Sequence, residues 1–192
     1  MLKQSISNQS ISGFTLIELL IALSIFYIIT SIAIPSMANT LSTVRHNGSL
    51  TVLFSQLQLA RSRAIINNQT LIMCKSKNLK QCEADVEWSD GWLVFADKNQ
   101  NKQFDSDEKL IFKQHRLKGA NKIIYKSFSG SDEYVLFYAR GFSHTNGTFL
   151  FCHEYHAEQS KAVIISRTGR IRTNDELSTT SINKCLPYEK TS

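Results

Sequence analysis

The feature that most constrains this chain is an apolar run near its start, GFTLIELLIALSIFYIITSIAIP over residues 13–35. Between Phe14 and Ile34 it holds one charged side chain, Glu18. As a helix rising ~1.5 Å per residue, the run is ~32 Å long, enough to cross a bilayer core. A secretory signal peptide has a shorter apolar region and ends in a small-residue cleavage site, and no A-x-A pattern precedes Pro35. A plain membrane anchor accounts for the length but not for Glu18. A carboxylate at the centre of an apolar span costs ~2.5–3.5 kcal/mol, less near the interface, so one kept there usually has a partner.

Gly13-Phe14-Thr15-Leu16-Ile17-Glu18 resembles the processing site of type IV pilins and type II secretion pseudopilins. The resemblance implies that a prepilin peptidase cuts after Gly13 and that Phe14 becomes the methylated N-terminus. It also implies that Glu18 meets the N-terminal amine of a neighbouring pilus subunit, the counter-charge an intramembrane carboxylate needs. Pro35 matches the same family. The leader departs from it by carrying only Lys3, so the positive-inside signal is weak. The expected division is a leader over 1–13, a transmembrane helix segment over 14–35, an amphipathic continuation over 36–68, and an extracytoplasmic β-rich domain with a C-terminal tail over 69–192.

Proline kinks a helix without ending it, so the helix is expected to continue past Pro35. Leu50, Leu53, Phe54, Leu57, Ala60 and Ala64 then recur at three- and four-residue spacing, one apolar face of an amphipathic helix. The helix should stop near Asn67-Asn68. Beyond it, residues 70–75, 91–96, 109–113, 122–128, 134–139, 148–152 and 161–166 read as strands rich in Ile, Val, Phe and Tyr. Asn146-Gly147 is the best hairpin turn in the chain. The pattern predicts an α+β fold, one long helix packed on antiparallel sheet, with an irregular polar tail from Thr173 anchored at Cys185. Ser89-Asp90-Gly91-Trp92, Val94-Phe95 and the acidic, Asn-rich loop after them resemble the GspH/FimT group of minor pilins. That resemblance implies a type IV pilin-like fold.

The formal charge is +6 over 192 residues, and loss of residues 1–13 removes Lys3 and no acid, leaving +5. This balance suits an anionic partner such as nucleic acid or a membrane surface without requiring either. Four cysteines, Cys74, Cys82, Cys152 and Cys185, suggest two disulfides in an oxidising compartment. Three pairings are open. Cys74–Cys82 with Cys152–Cys185 is favoured because loops close most cheaply between near neighbours. A zinc site would want a C-x-x-C pair, which is absent.

No enzyme is expected. The five histidines are scattered along the chain and read as surface residues, and His153-Glu154-Tyr155-His156 is one residue short of the H-E-x-x-H pattern. No phosphate-binding loop and no cofactor site is present in the sequence. Residues 97–108 carry oxygen side chains at positions 1, 3, 5, 9 and 12 of a calcium-type loop, but position 6 is Lys102 instead of glycine and the flanks read as strands. A polar turn closing on its own backbone is the favoured reading there.

The remaining constellation is Arg167-Thr168-Gly169-Arg170-Ile171-Arg172. With Lys161 it makes four cations and no acid between 161 and 172. Gly169 permits a turn, and in an extended segment Arg170 and Arg172 share one face. Two guanidinium forks on one face can grip successive phosphates. Gly169-Arg170-Ile171-Arg172 also resembles the G-R-x-R motif of FimT-type minor pilins, linked to DNA binding in natural transformation. The resemblance implies an inner-membrane, single-pass minor pilin with a periplasmic C-terminal domain, built into an extracellular pilus. Its partners would be double-stranded DNA, other pilus subunits, the prepilin peptidase and the inner membrane. Arg170 and Arg172 would hold DNA, helped by Arg167 and Lys161. A pilin or pseudopilin that primes or caps a filament without DNA is the alternative, and a membrane-anchored metal hydrolase a distant third. A strand edge blunted with charge would also explain the arginines, and Asp175 and Glu176 dilute the patch.

Overall fold

The structure is a computed structural model of the chain, describing residues 15–117, 122–153 and 156–186, apart from the side chains of 32–36, 38 and 39. It divides into two compact units, Met1–Thr40 and Leu41–Ser192. Helix α1 (Leu16–Ile66) contributes residues to both and passes through Pro35.

In the first unit, Thr15 caps the helix: its Oγ1 accepts the Glu18 N–H at 3.3 Å. The apolar side chains from Leu16, 78% exposed, to Ile29 all stand outward. The hydroxyls of Ser24, Thr30 and Ser31 donate back to the carbonyls of Ile21, Phe26 and Ile28 at 2.8, 3.0 and 2.7 Å. These three hydroxyls are thus satisfied within the helix itself. Among the described residues, no helix is long and apolar enough to cross a membrane. Gly13 and Phe14, the expected processing positions, lie outside the described residues.

In the second unit, Leu50, Leu53, Leu57, Ala60 and Ala64 are buried, the face the spacing predicts, and His46 and Ser49 extend it. The helix ends where Asn68 turns to φ 48°, letting Asn68 N–H reach Ile65 O at 3.2 Å and Gln69 N–H reach Ala64 O at 3.0 Å. This reversal satisfies carbonyls that have no further turn to bond.

The strands are β1 (Leu71–Lys75), β2 (Gly91–Ala96), β3 (Lys109–His115), β4 (Lys122–Ser127), β5 (Tyr134–Phe137), β6 (Gly147–Cys152), β7 (Lys161–Ile165) and β8 (Ile171–Asn174). They form two antiparallel sheets, ordered β3-β2-β1-β5 and β4-β6-β7-β8. Asn146-Gly147 is not the hairpin turn its residues suggest, because the strands on either side of it, β5 and β6, lie in different sheets. Gly147 opens β6 and pairs with Ser127 and Ile165. Asn146 spends its groups on tertiary partners: its carbonyl accepts Phe128 N–H at 2.9 Å and its Oδ1 accepts Arg167 N–H at 2.6 Å. The dipeptide therefore marks the crossing from one sheet to the other.

The helix face and the inner faces of both sheets share one core, with Leu53, Leu57, Met73, Trp92, Phe137, Phe149 and Val163 in contact. Each such side chain contributes ~1.5–3 kcal/mol of burial. Trp92 keeps a partner for its indole, donating to Gln56 Oε1 at 2.7 Å. Strand β2 is buried on both faces, because Leu93 and Phe95 pack into a second cluster with Ile72, Leu79 and Leu136. The Cys74–Cys82 bridge secures the loop over that cluster, and Cys152–Cys185 ties the tail to β6. The tail, expected to be irregular, holds a short helix, α2 (Thr179–Asn183).

Candidate nucleic-acid interface

Strands β7 and β8 pair with Ile165 opposite Ile171 and Ile164 opposite Arg172. The connection between them, residues 166–170, is a closed turn. Ser166 N–H donates to Arg170 O at 2.9 Å, Gly169 N–H to Ser166 O at 2.8 Å, and Arg170 N–H to Ser166 Oγ at 3.1 Å. Gly169 has φ 78°, and a Cβ built on it would lie 1.8 Å from the Gly141 carbonyl oxygen. Both the dihedral and the close backbone approach require glycine.

Three further bonds tether the turn, at Thr168 O, Arg167 O and Arg167 N–H, and a fourth holds the neighbouring Gly141. Arg61, on α1, donates from Nε to Gly141 O at 2.9 Å and from Nη2 to Thr168 O at 3.4 Å. Arg167 O accepts Ser143 N–H at 3.0 Å, while Arg167 N–H holds Asn146. The backbone is therefore fixed from the helix and from the loop after β5. The side chains of Arg167, Arg170 and Arg172 are exposed, and none takes part in the ion pairs found among the described residues. Ile171 between them is buried in the core, so Arg170 and Arg172 stand on the opposite side.

Lys161 does not join them. It shares strand parity with Val163 and Ile165 and sits at the far end of β7, four residue steps or roughly 13 Å from Ile165, where the turn begins to leave the strand. Its Nζ is paired with Asp175 at 3.5 Å. Arg140, which the sequence reading passed over, is exposed and directly precedes Gly141, the residue packed on Gly169. An Arg-Gly dipeptide in a loop was the available signal, and it points to the turn only once Gly141 and Gly169 are seen to touch. Arg172 also lines a groove of about 800 Å³ on the outer face of the second sheet, floored by Ile124, Leu150 and Ile164 and bordered by Glu176 and Leu177 of the tail.

The histidines are not all scattered surface residues. His46 and His153 are buried with ring centroids 5.0 Å apart, and the His156 ring lies beyond His153 at 5.4 Å, tilted to it by 43°. Residues 107 positions apart in sequence cannot announce such a contact locally. Among the described residues, no three of His, Cys, Asp and Glu are gathered to hold a metal ion. Ser89-Asp90-Gly91-Trp92 serves the fold: Asp90 Oδ2 accepts Glu87 N–H, and Trp92 enters the core. Glu18 lies on the exposed surface of the first unit.

The family described as Type II transport protein GspH matches residues 51–169, and the prokaryotic N-terminal methylation motif matches residues 8–34. Among solved structures, the chain is similar to the type IV minor pilin FimU of Pseudomonas aeruginosa. The identity is 21% over 67% of this chain and 87% of that one, with a TM-score of 0.50. It is also similar to the minor pseudopilin EpsH of the type II secretion system of Vibrio cholerae, at 12% identity over 70% and 96% of the two chains and a TM-score of 0.50. No curated protein matches the chain.

Proposed function

We propose, on the premise that this chain belongs to the type II transport protein GspH family, that it is a minor pilin binding DNA through Arg167, Arg170 and Arg172. Membership makes it a pilin or pseudopilin subunit that associates with other subunits of such a filament, and the methylation motif goes with that role. The DNA reading is carried by one observation: three exposed guanidiniums, in no ion pair among the described residues, stand on and next to a turn whose backbone is tethered from α1 and from the loop after β5, Arg167 and Arg170 in the turn and Arg172 on β8. A preordered turn loses little freedom on binding, and guanidinium forks match phosphate oxygens. Phosphate contacts position a protein on DNA without reading its sequence. Edge-strand protection accounts for Arg172, since β8 is an outer strand, but not for Arg167 and Arg170 in the turn.

In the same reading, a prepilin peptidase removes residues 1–13, Phe14 is methylated, and Glu18 faces a neighbour's terminal amine. The apolar run holds the subunit in the inner membrane, with the second unit periplasmic, until it enters a pilus. DNA capture there would serve uptake in natural transformation.

The test is titration of labelled duplex DNA with the full chain in detergent. Three phosphate contacts give a salt slope of up to about 2.7 and little preference among sequences. Arg170→Gln with Arg172→Gln should weaken binding at least ~10-fold and lower the slope by about 2, while Lys161→Gln changes little. A double variant that binds like the parent refutes the site. A second reading is a subunit that primes or caps the filament without DNA. The exposed apolar side chains between Leu16 and Ile29 favour it, because they need lipid or neighbouring subunits whatever the arginines do. Absence of DNA binding by the parent at low salt would leave that reading standing.

A further inference from the structure

The connection between β2 and β3, residues 97–108, is the loop with calcium-type spacing. Asp97, Asn99, Asn101, Asp105 and Glu108 occupy positions 1, 3, 5, 9 and 12, and position 7, Gln103, offers a backbone carbonyl. Spacing alone is a weak signal, because Asn and Asp close turns on their own backbone. Much of this loop does so: Glu108 accepts Lys98 N–H at 2.8 Å and Asp105 N–H at 3.2 Å.

Asp97 is different. It is only 4% exposed, its Oδ2 accepts Lys102 N–H within the loop at 3.2 Å, and its Oδ1 has no hydrogen-bond partner. Glu108 is also buried, 7% exposed, and directly precedes Lys109, the strand partner of Ala96 that Asp97 follows; neither carboxylate belongs to an ion pair among the described residues. A buried carboxylate oxygen with no donor is costly, and a cation is the group that would relieve it.

The residue that argued against a metal also behaves differently from its type. Lys102 takes φ 66°, the left-handed conformation that glycine supplies at position 6. Its ammonium lies over the Tyr134 ring, 5.3 Å from the centroid, and so is directed to the aromatic ring. On the outer side of the loop, the amides of Asn99 and Asn101 both reach Asp105 Oδ2, at 2.9 and 2.7 Å, so positions 3, 5 and 9 already converge. A half-turn of each amide exchanges its nitrogen for its oxygen without changing its shape.

We propose that the Asp97–Glu108 loop binds a calcium ion, anchored on Asp97 Oδ1 and Glu108 and completed by oxygens of Asn99, Asn101 and Asp105. An all-oxygen donor set excludes a preference for zinc or copper, and an irregular hairpin suits calcium better than the strict octahedron of magnesium. Asp97, Asp105 and Glu108 are not gathered at ligand range without the ion, so binding draws Asp105 inward. That reorganisation places the affinity with the weaker extracellular calcium modules, Kd ~10⁻⁴–10⁻³ M.

The experiment uses the full chain in detergent after chelator treatment, with calorimetric titration of calcium chloride and of magnesium chloride, and thermal unfolding at each end point. One saturable calcium site is expected. At about 10 mM calcium the ratio of folded to unfolded protein should rise ~10- to 100-fold, with a smaller response to magnesium. Asn99→Ala with Asn101→Ala alters exposed positions only and should weaken binding at least ~10-fold. Asp97→Asn should abolish it, and should that variant not fold, the asparagine pair decides alone. Lys102→Gly, which removes a cation and the positive-φ strain, should tighten binding several-fold. No saturable binding and no change in unfolding at the highest calcium concentration overturns the proposal. So does an asparagine double variant that binds like the parent. Neither result bears on DNA binding, because the arginine turn shares no residue with this loop.

Discussion

Gly169→Ala is the substitution whose cost the geometry defines best. Alanine in the left-handed region costs ~1–2 kcal/mol. The new Cβ would lie 1.8 Å from Gly141 O and 2.7 Å from Arg61 Nε. The first contact is with backbone and no rotamer relieves it. The second displaces Arg61 from its 2.9 Å bond to Gly141 O, a charge-assisted bond of ~1.5–3 kcal/mol. Together these predict a loss of ~2.5–5 kcal/mol. Gly141→Ala is the matched control. It has nearly the same φ, 79°, but its Cβ would meet Ile65 Cδ1 at 2.6 Å, the far end of an exposed side chain that can turn away. Only the dihedral cost, ~1–2 kcal/mol, should remain. Thermal unfolding of the full chain followed by near-UV circular dichroism reads both. At ~2–4 °C per kcal/mol, Gly169→Ala should lower Tm by roughly 5–20 °C and Gly141→Ala by roughly 2–8 °C. Equal shifts, or a Gly169→Ala protein as stable as the parent, would refute the claim that backbone contact with Gly141 sets this turn.

The two disulfides should differ in worth. Replacing Cys152 and Cys185 by alanine opens a loop of 33 residues and should cost about 1 kcal/mol more than replacing Cys74 and Cys82, separated by 8, read from urea midpoints under non-reducing conditions. Asp132 links stability to pH. Burial would raise its carboxyl, but hydrogen bonds from Lys126 and the Ser127 N–H, with the Lys126 charge, outweigh it and hold it below its ordinary 3.8. A depressed carboxyl stabilises the fold above its unfolded value and loses that contribution as pH falls through the folded one. Asp132→Asn should therefore lower the urea midpoint at neutral pH, with the difference from the parent fading below about pH 4.

Local order was legible where a pattern repeats along the chain. The buried face Leu50, Leu53, Leu57, Ala60 and Ala64 follows from helical spacing, and strands such as Gly91–Ala96 follow from short apolar runs between turn residues. The alternation that turns Ile171 inward and Arg172 outward was likewise present in the residues themselves. These features depend on residues a few positions apart, and their chemistry is written consecutively.

What only the tertiary structure decided lies between residues far apart. Asn146-Gly147 has hairpin chemistry, yet its partners Phe128 and Arg167 make it a crossing between two sheets. Lys161 belongs to the same basic run as Arg167, but strand direction carries it away and Asp175 takes its charge. Four cysteines permit three pairings, and the fold holds one. Arg61 reads as one more surface cation on a helix, and it becomes the tether of the arginine turn only because Gly141, 80 residues away, brings its carbonyl to 2.9 Å. Periodicity specifies which face of an element is apolar. It does not specify which distant backbone that face meets, because that choice is made by the packing of the whole core.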